Sequence, residues 1–210
     1  MSDFDGTAFV RFVGTFADRL HERREELTEL DSAIGDADHG INMDRGFTAV
    51  RAKLNDLDGS DLGATAKAVG MTLISTVGGA SGPLYGTFFL RFATAVGDGT
   101  ALDATELGAA LRAGLEGVIH RGKATTDDKT MVDAMGPAVD AYDAAAASGI
   151  PAALEAAATA AAEGRDRITP MVARKGRASY LGERSANHQD PGATSTTILF
   201  ESLRDAVAEG

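Results

Sequence analysis

Asp31, Asp36 and Asp38 stand in the stretch Leu30-Asp31-Ser32-Ala33-Ile34-Gly35-Asp36-Ala37-Asp38-His39-Gly40-Ile41-Asn42-Met43-Asp44-Arg45-Gly46. One regular helix cannot aim all three at a point: at about 100° per residue, Asp36 and Asp38 would diverge by roughly 200°. In a looped or extended backbone, residues two apart share a side. Asp36 and Asp38 then converge, and Asp31 reaches in from the end of a preceding helix. Carboxylates gathered this way repel by about 4 kcal/mol per pair at roughly 4 Å and an effective dielectric of about 20, unless a cation lies between them. All-oxygen donors select a hard divalent ion, and Mg2+ commonly takes a few carboxylates together with substrate phosphates. The implied chemistry is a loop that holds Mg2+ against a phosphorylated ligand. The alternative is an acidic, solvated turn, because Asp and Gly are ordinary loop residues.

Three further stretches could contribute. Gly78-Gly79-Ala80-Ser81-Gly82-Pro83 precedes an apolar run through Tyr85, Phe88, Phe89 and Phe92. A glycine-rich turn opening a helix offers backbone N–H groups and a positive dipole end, which suits a phosphate, and Pro83 suits the first helical position. It matches neither the P-loop nor the dinucleotide fingerprint, and such a turn is often only a turn. Gly122 to Asp128 ends in Thr125-Thr126-Asp127-Asp128, a capping cluster before Met131, which spacing alone assigns to the core. The connection over residues 170–191 carries Arg174-Lys175-Gly176-Arg177, then Tyr180, Arg184, His188 and Asp190. It is the main cluster of positive charge, and long polar loops in compact helical domains are functional or disordered. Arg177 could offset charge on a transferred phosphoryl group or form a surface ion pair. His39 could be a base or a nucleotide contact; flanking two metal carboxylates, it reads as the nucleotide contact and not as a phosphohistidine. His188 lies in the long polar loop and reads equally as a structural hydrogen-bonder. His21 and His120 read as solvated.

Helical periodicity supplies the elements that position these stretches. Phe9, Phe12, Val13, Phe16, Leu20, Leu27 and Leu30 predict one helix over about residues 7–30. A second runs through Phe47, Val50 and Leu54 and breaks at residues 55–59, with Asp38 or Asn42 as its cap. The third, about residues 62–77, is apolar over most of its circumference and reads as deeply buried. The fourth follows Pro83, the fifth spans about 104–121, the sixth carries Met131, Val132, Met135 and Val139, and the seventh is alanine-rich, about 152–168. The last segment, 194–207, has helical spacing, although its β-branched start leaves a strand possible. Phe9, Phe12, Phe16, Phe88 and Phe89 read as core. About eight helices with short connections predict a single all-α domain, an up-and-down bundle or closed barrel of antiparallel neighbours. In that arrangement the connections after the first, third, fifth and seventh predicted helices share one end. All four unusual stretches therefore meet there, as a nucleotide site would require.

Composition sets the class. Hydrophobic content of 44% with 24% charged residues is that of a globular protein able to bury a core. The absence of Cys excludes disulfides and thiolate metal sites. No membrane span or signal peptide is legible, so a cytoplasmic location is expected. A net charge of −11 argues against nucleic-acid binding. Abundant Asp with Arg as the main cation fits a salty cytoplasm or a mildly acidic mesophile protein.

The chain resembles the L subunit of dihydroxyacetone kinase over nearly its whole length. The acidic stretch carries the resemblance together with Gly78-Gly79-Ala80-Ser81-Gly82-Pro83-Leu84-Tyr85-Gly86, Gly122-Lys123-Ala124 with Asp128-Lys129-Thr130-Met131, and Lys175-Gly176-Arg177-Ala178-Ser179-Tyr180-Leu181-Gly182-Glu183-Arg184-Ser185 with Asp190-Pro191-Gly192-Ala193. The resemblance implies a barrel of eight antiparallel helices holding ADP and two Mg2+ ions at one end. Asp31, Asp36 and Asp38 look like the metal ligands and, with Arg177, the catalytic set. His39, Gly40, Ile41, Asn42, Gly79, Ala80, Ser81, Gly122, Thr130, Met131, Arg177, Asp190, Pro191 and Gly192 look like nucleotide contacts. Such a subunit relays phosphate from a multiphosphoryl carrier protein, through its nucleotide, to dihydroxyacetone held covalently on a histidine of a separate K subunit. No substrate domain precedes these motifs, which favours that type over the fused ATP-dependent kinases. The other readings are an ATP-dependent ketose or fatty-acid kinase subunit and a non-catalytic nucleotide- or lipid-binding barrel. Retention of the three aspartates with Arg177 counts against a pure binding module. Two departures stand out: Ala37 and Asn187 lie where the family commonly has Gly. If position 37 needs positive φ, Ala costs roughly 1 kcal/mol there.

Overall fold

The computed structural model of the chain describes residues 3–54 and 60–208; the expected break at residues 55–59 lies outside them. The predicted first helix is two helices, α1 (Gly6–Glu22) and α2 (Arg24–Ile34). Between them Arg23 has left the helical region at φ −100°, ψ 16°. Nothing in Glu22-Arg23-Arg24 breaks a helix by type, so the apolar period runs straight through the bend and hides it.

The remaining helices among the described residues are α3 (His39–Leu54), α4 (Leu62–Thr76), α5 (Ser81–Val96), α6 (Ala104–Gly122), α7 (Val132–Ala145), α8 (Ile150–Ile168) and α9 (Pro191–Ala208). Several starts follow from local chemistry. Asp5 accepts from Ala8 N at 2.8 Å to cap α1, and Asp61 accepts from Ala64 N at 2.7 Å to cap α4. Asp103 and Glu106 form a capping box on α6. A two-residue strand pair, β1 (Phe4–Asp5) with β2 (Ala101–Leu102), ties the N-terminal segment to the α5–α6 connection, which periodicity did not indicate.

Each helix from α3 onward packs against its sequence neighbours, α1 packs against α3, and α9 returns to α1, so the ring closes into a barrel. Its core is phenylalanine-rich. Phe9, Phe12 and Phe16 of α1 meet Phe47, Phe89 and Phe92, with Phe16 and Phe47 edge-on at 4.7 Å between centroids. Full burial of each ring contributes about 1.5–3 kcal/mol.

Three expectations change. Helix α4 is not buried all round: Met71 and Ile74 stay 55% and 43% exposed, because a barrel stave turns only one stripe inward. Pro83 is the third residue of α5, not the first. The possible strand at 194–198 is helix. There the buried hydroxyls bond back to carbonyls of the preceding turn, Thr194 Oγ1 to Asp190 O at 2.8 Å and Thr197 Oγ1 to Ala193 O at 3.0 Å, so the β-branched residues are satisfied within α9. Among the described residues, no helix is long and apolar enough to cross a membrane.

Candidate functional site

The connections before α3, α5, α7 and α9 all reach one end of the barrel, and a cleft there is lined by residues from every one of them. The N-termini of four helices therefore point at the same space. Each offers roughly half a positive charge and N–H groups without helical acceptors. In a chain of net charge −11 this end is built to receive an anion.

The acidic loop supplies the opposite charge. Asp31, in the last turn of α2, and Asp36 and Asp38, beyond it, each present an oxygen within 4.8 Å of the others. Asp31 is buried and held: its Oδ2 accepts from the backbone N–H of Asp38 at 2.8 Å and of His39 at 3.1 Å. The side-chain cap of α3 is thus Asp31, seven residues upstream of Asp38, whereas periodicity pointed to Asp38 or Asn42. Gly35 makes the approach possible, since a Cβ there would lie 2.0 Å from Asp31 Oδ1. Among the described residues, Asp36 pairs with Arg177 Nη2 at 3.0 Å, and the Asp38 carboxylate has no hydrogen bond or ion pair. Three converging, incompletely neutralised carboxylates with oxygen donors only fit a hard divalent cation.

Ala37 sits at the centre of this loop with φ 62°, and Asn187 has φ 63°. Asn tolerates the left-handed region, but Ala does not. Such a backbone costs Ala about 1–2 kcal/mol, and the extra freedom of Gly in the unfolded chain takes back about 0.5–1 kcal/mol. Ala37→Gly is therefore expected to raise stability by about 0.5–1 kcal/mol in a denaturant titration with chelator present; a lower midpoint would show that the loop is not strained at this residue.

His39 opens α3 and is buried. Its Nε2 lies 2.9 Å from Ser195 Oγ of α9 and its Nδ1 lies 3.1 Å from Ser81 Oγ of α5. Ser195 Oγ also lies 2.7 Å from Tyr85 Oη and donates to Gly192 O at 3.1 Å. These distances fit a proton on Nε2 and a Ser81 hydroxyl donating to Nδ1. Burial holds the His39 imidazole down to about 4 despite the Asp31 and Asp38 charges, so it is neutral at pH 7. With both nitrogens engaged, His39 locks three helix starts together and meets the cleft with its ring. Burial likewise pushes the Tyr85 hydroxyl up to about 12.

At α5, Gly79 takes φ 65°, and the turn carries Ala80 and Ser81 into the cleft wall. Pro83 in the first turn has no N–H to leave unsatisfied. At α9, Asp190 is the cap, accepting from Ala193 N at 2.7 Å, and Pro191 is the first helical residue. Desolvation raises the Asp190 carboxyl to about 7, opposed by that backbone hydrogen bond and by Lys129. At α7, the turn amides are shared between two carboxylates: Asp128 accepts from Thr125 N at 2.8 Å, and fully buried Asp133 accepts from Thr130 N at 2.9 Å and Asp127 N at 2.5 Å.

The long connection between α8 and α9 is ordered and contains a 3-10 stretch, Arg177–Ser185. It brings Lys175, Gly176, Arg177 and Ala178 over the cleft. A second, more apolar recess adjoins the first and shares Ala80, Leu84, Thr130, Met131, Lys175 and Gly176 with it, adding Val118, Gly122 and Val132. One end of the combined groove is therefore carboxylate-lined and the other apolar, the polarity of a nucleotide with its metal.

Of the residues singled out in the sequence, Asp31, Asp36, Asp38, His39, Gly79, Ala80, Ser81, Thr130, Met131, Arg177, Asp190, Pro191 and Gly192 line the first cleft, and Gly122 lines the adjoining recess. Gly40, Ile41 and Asn42 line neither. Gly40 packs against α2, Ile41 is 50% exposed, and Asn42 is buried behind Gly78, accepting from Arg45 Nη2 at 2.8 Å. His21 is exposed as expected but lies 2.9 Å from Asp44 Oδ1; His120 and His188 are exposed. Periodicity missed Tyr85, Ser195, Asp133 and Lys129. The first two sat in apolar or hydroxyl-rich helical runs, and a buried Lys or Asp has no local signature.

A family described as "DAK2 domain" matches residues 33–205. The chain is 47% identical over 205 residues to the "PEP-dependent dihydroxyacetone kinase, ADP-binding subunit DhaL" of Escherichia coli (strain K12), covering 97% of this chain and 98% of that one. It is 40% identical to the "PTS-dependent dihydroxyacetone kinase, ADP-binding subunit DhaL" of Lactococcus lactis subsp. lactis (strain IL1403), over 95% and 96% of the two chains. The solved dihydroxyacetone kinase from C. freundii in complex with AMP-PNP and Mg2+ superposes with a TM-score of 0.73 at 25% identity, covering 95% of this chain and 33% of that longer one. The chain belongs to the DAK2-domain family, as a kinase subunit of the dihydroxyacetone kinase L type.

Proposed function

We infer that this chain is the nucleotide-holding subunit of a phosphocarrier-dependent dihydroxyacetone kinase. It keeps ADP with two Mg2+ ions as a bound coenzyme, receives a phosphoryl group from a multiphosphoryl carrier protein, and passes it to dihydroxyacetone on a separate K subunit. All 210 residues act as one L-type domain in the cytoplasm. The observation that carries the reading is the convergence of Asp31, Asp36 and Asp38 with the α5 start and the Arg177 loop in one groove. The relatives named ADP-binding subunits, and the neighbour solved with AMP-PNP and Mg2+, support it.

In this reading Asp31, Asp36 and Asp38 hold the Mg2+, whose chemistry is to neutralise phosphate charge. The three carboxylates carry about −3 and a diphosphate about −3 more. Two divalent ions leave about −2 for Arg177, Lys175 and the helix N-termini to offset. Arg177, paired with Asp36 at 3.0 Å, would offset charge on the transferred group. His39, Gly79, Ala80, Ser81 and the Asp190-Pro191-Gly192 turn shape the phosphate side. Gly122, Thr130 and Met131 form the apolar side for the base. Gly40, Ile41 and Asn42 contribute through the start of α3 rather than from the groove wall.

A groove closed over the base slows release, and affinity differences between related sites appear mainly in off-rates. The protein is therefore expected to purify with ADP. It is expected to phosphorylate dihydroxyacetone only when a K subunit and a phosphorylated carrier protein are added. Sustained turnover with excess ATP and the K subunit alone, at the carrier-driven rate, would make it an ordinary ATP-dependent kinase subunit. Failure to bind ADP tightly with Mg2+ would remove the coenzyme role.

A further inference from the structure

Lys129 is 1% exposed, and its ammonium donates to three backbone carbonyls: Thr169 at 2.9 Å, Met171 at 2.8 Å and Ser185 at 2.7 Å. These are the donors a lysine has, so the ammonium is saturated by main chain. The acceptors are informative. Thr169 and Met171 lie where the chain leaves α8, and Ser185 ends the 3-10 stretch. One side chain thus joins both ends of the excursion that carries Lys175 and Arg177 over the groove.

Two further bonds tie the same excursion. Arg174 N donates to Asp128 O at 3.0 Å, and Ala173 N donates to the buried Ser185 Oγ at 2.9 Å. Lys129 itself takes φ 63°, backbone that residues other than Gly, Asn and Asp seldom adopt, and Asp127 beside it takes φ 70°. The turn accepts this conformation at two non-glycine residues, and it sets Lys129 inward toward the carbonyls. Burial of an ammonium costs several kcal/mol unless its donors are all used. A lysine kept there therefore holds something that the apolar core does not.

We propose that Lys129 is a positioning residue: it clasps the Arg174–Ser185 excursion so that Arg177 stands beside Asp36 before any nucleotide arrives. This rests on the proposed nucleotide reading for its consequence in transfer, but not for the clasp itself. Thr130 and Met131, next in the chain, line the same cleft and recess as Lys175 and Gly176, so the clasp joins two segments that share the groove wall.

The test uses Lys129→Met, Arg177→Met and the double variant in the full chain. Trypsin sites at Arg174, Lys175, Arg177 and Arg184 report on the loop directly. Lys129→Met is expected to be cut there about tenfold faster or more under native conditions, at a denaturant concentration well below its unfolding midpoint. Cleavage tracks the open population when opening is fast. In transfer reconstituted with a K subunit and phosphorylated carrier, both single variants are expected to lose rate, and the double variant to lose no more than Arg177→Met alone. Multiplying losses would overturn a role through Arg177, and unchanged trypsin rates would overturn the clasp. If Lys129→Met does not fold, hydrogen exchange on the wild type decides: the Ala173 and Arg174 amides are expected to be protected like those of α8, and exchange at exposed-loop rates would overturn the proposal. The proteolysis and exchange arms need no nucleotide, so failure of the kinase reading leaves them standing.

Discussion

Asp36→Asn and Asp38→Asn are each expected to lower carrier-driven phosphoryl transfer by about 10²–10³-fold or more while leaving helix content intact. Each substitution removes one charge from a set of oxygens within 4.8 Å of one another, where an exposed Asp36 and a half-buried Asp38 do no structural work beyond the Arg177 pair. Loss of a single preorganised electrostatic element at a charged transition state is of that size. With chelator present, neither variant should shift the unfolding midpoint by more than about 0.5 kcal/mol, as for other exposed positions. Asp31→Asn separates from them. Its carboxylate accepts two backbone N–H bonds at the start of α3, and an amide satisfies them less well, so a further loss of about 1–2 kcal/mol is expected even without metal. Chelation of the wild type should lower its melting temperature, because ions bound only to the folded state stabilise it by mass action. Transfer rates for the Asp36 and Asp38 variants equal to wild type would end the metal reading.

Gly40→Ala is expected to destabilise the protein by about 3 kcal/mol, near the upper end for an inserted methyl. The new Cβ would lie 2.0 Å from Arg24 O and 2.9 Å from Thr28 N, both main-chain atoms of α2. No rotamer relieves that contact, so α3 must move off α2 and take His39 with it. Gly14→Ala is the control: Gly14 is inside α1 with nothing within 4 Å of its would-be Cβ. It should gain about 0.5–1 kcal/mol from helix propensity alone. Denaturant unfolding of both variants, in chelator, measures the contrast. A neutral Gly40→Ala would place this glycine's importance in ligand contact instead of packing.

The helices, the barrel class and the acidic loop were legible because their signals are local. Apolar residues at three- and four-residue steps specify the stripe a helix buries, and short connections specify antiparallel neighbours. Alternation of ends then collects the loops before α3, α5, α7 and α9 at one end, which is why thirteen of the residues singled out in the sequence line one cleft. Position 37 stood out only through the family resemblance, which has Gly there, and Ala37 takes φ 62°. What the tertiary structure decided was long-range. The bend at Arg23 has no breaker residue, and α4 buries one stripe only because its other face meets solvent. Gly40 reads as a nucleotide contact until α2 is laid against it, and Lys129 has no role of its own in the sequence until three carbonyls, 40 to 56 residues downstream, close around its ammonium. Periodicity records which face a residue turns. It carries no information on which distant main-chain atom will stand opposite that face, and at these positions that atom determines the energy.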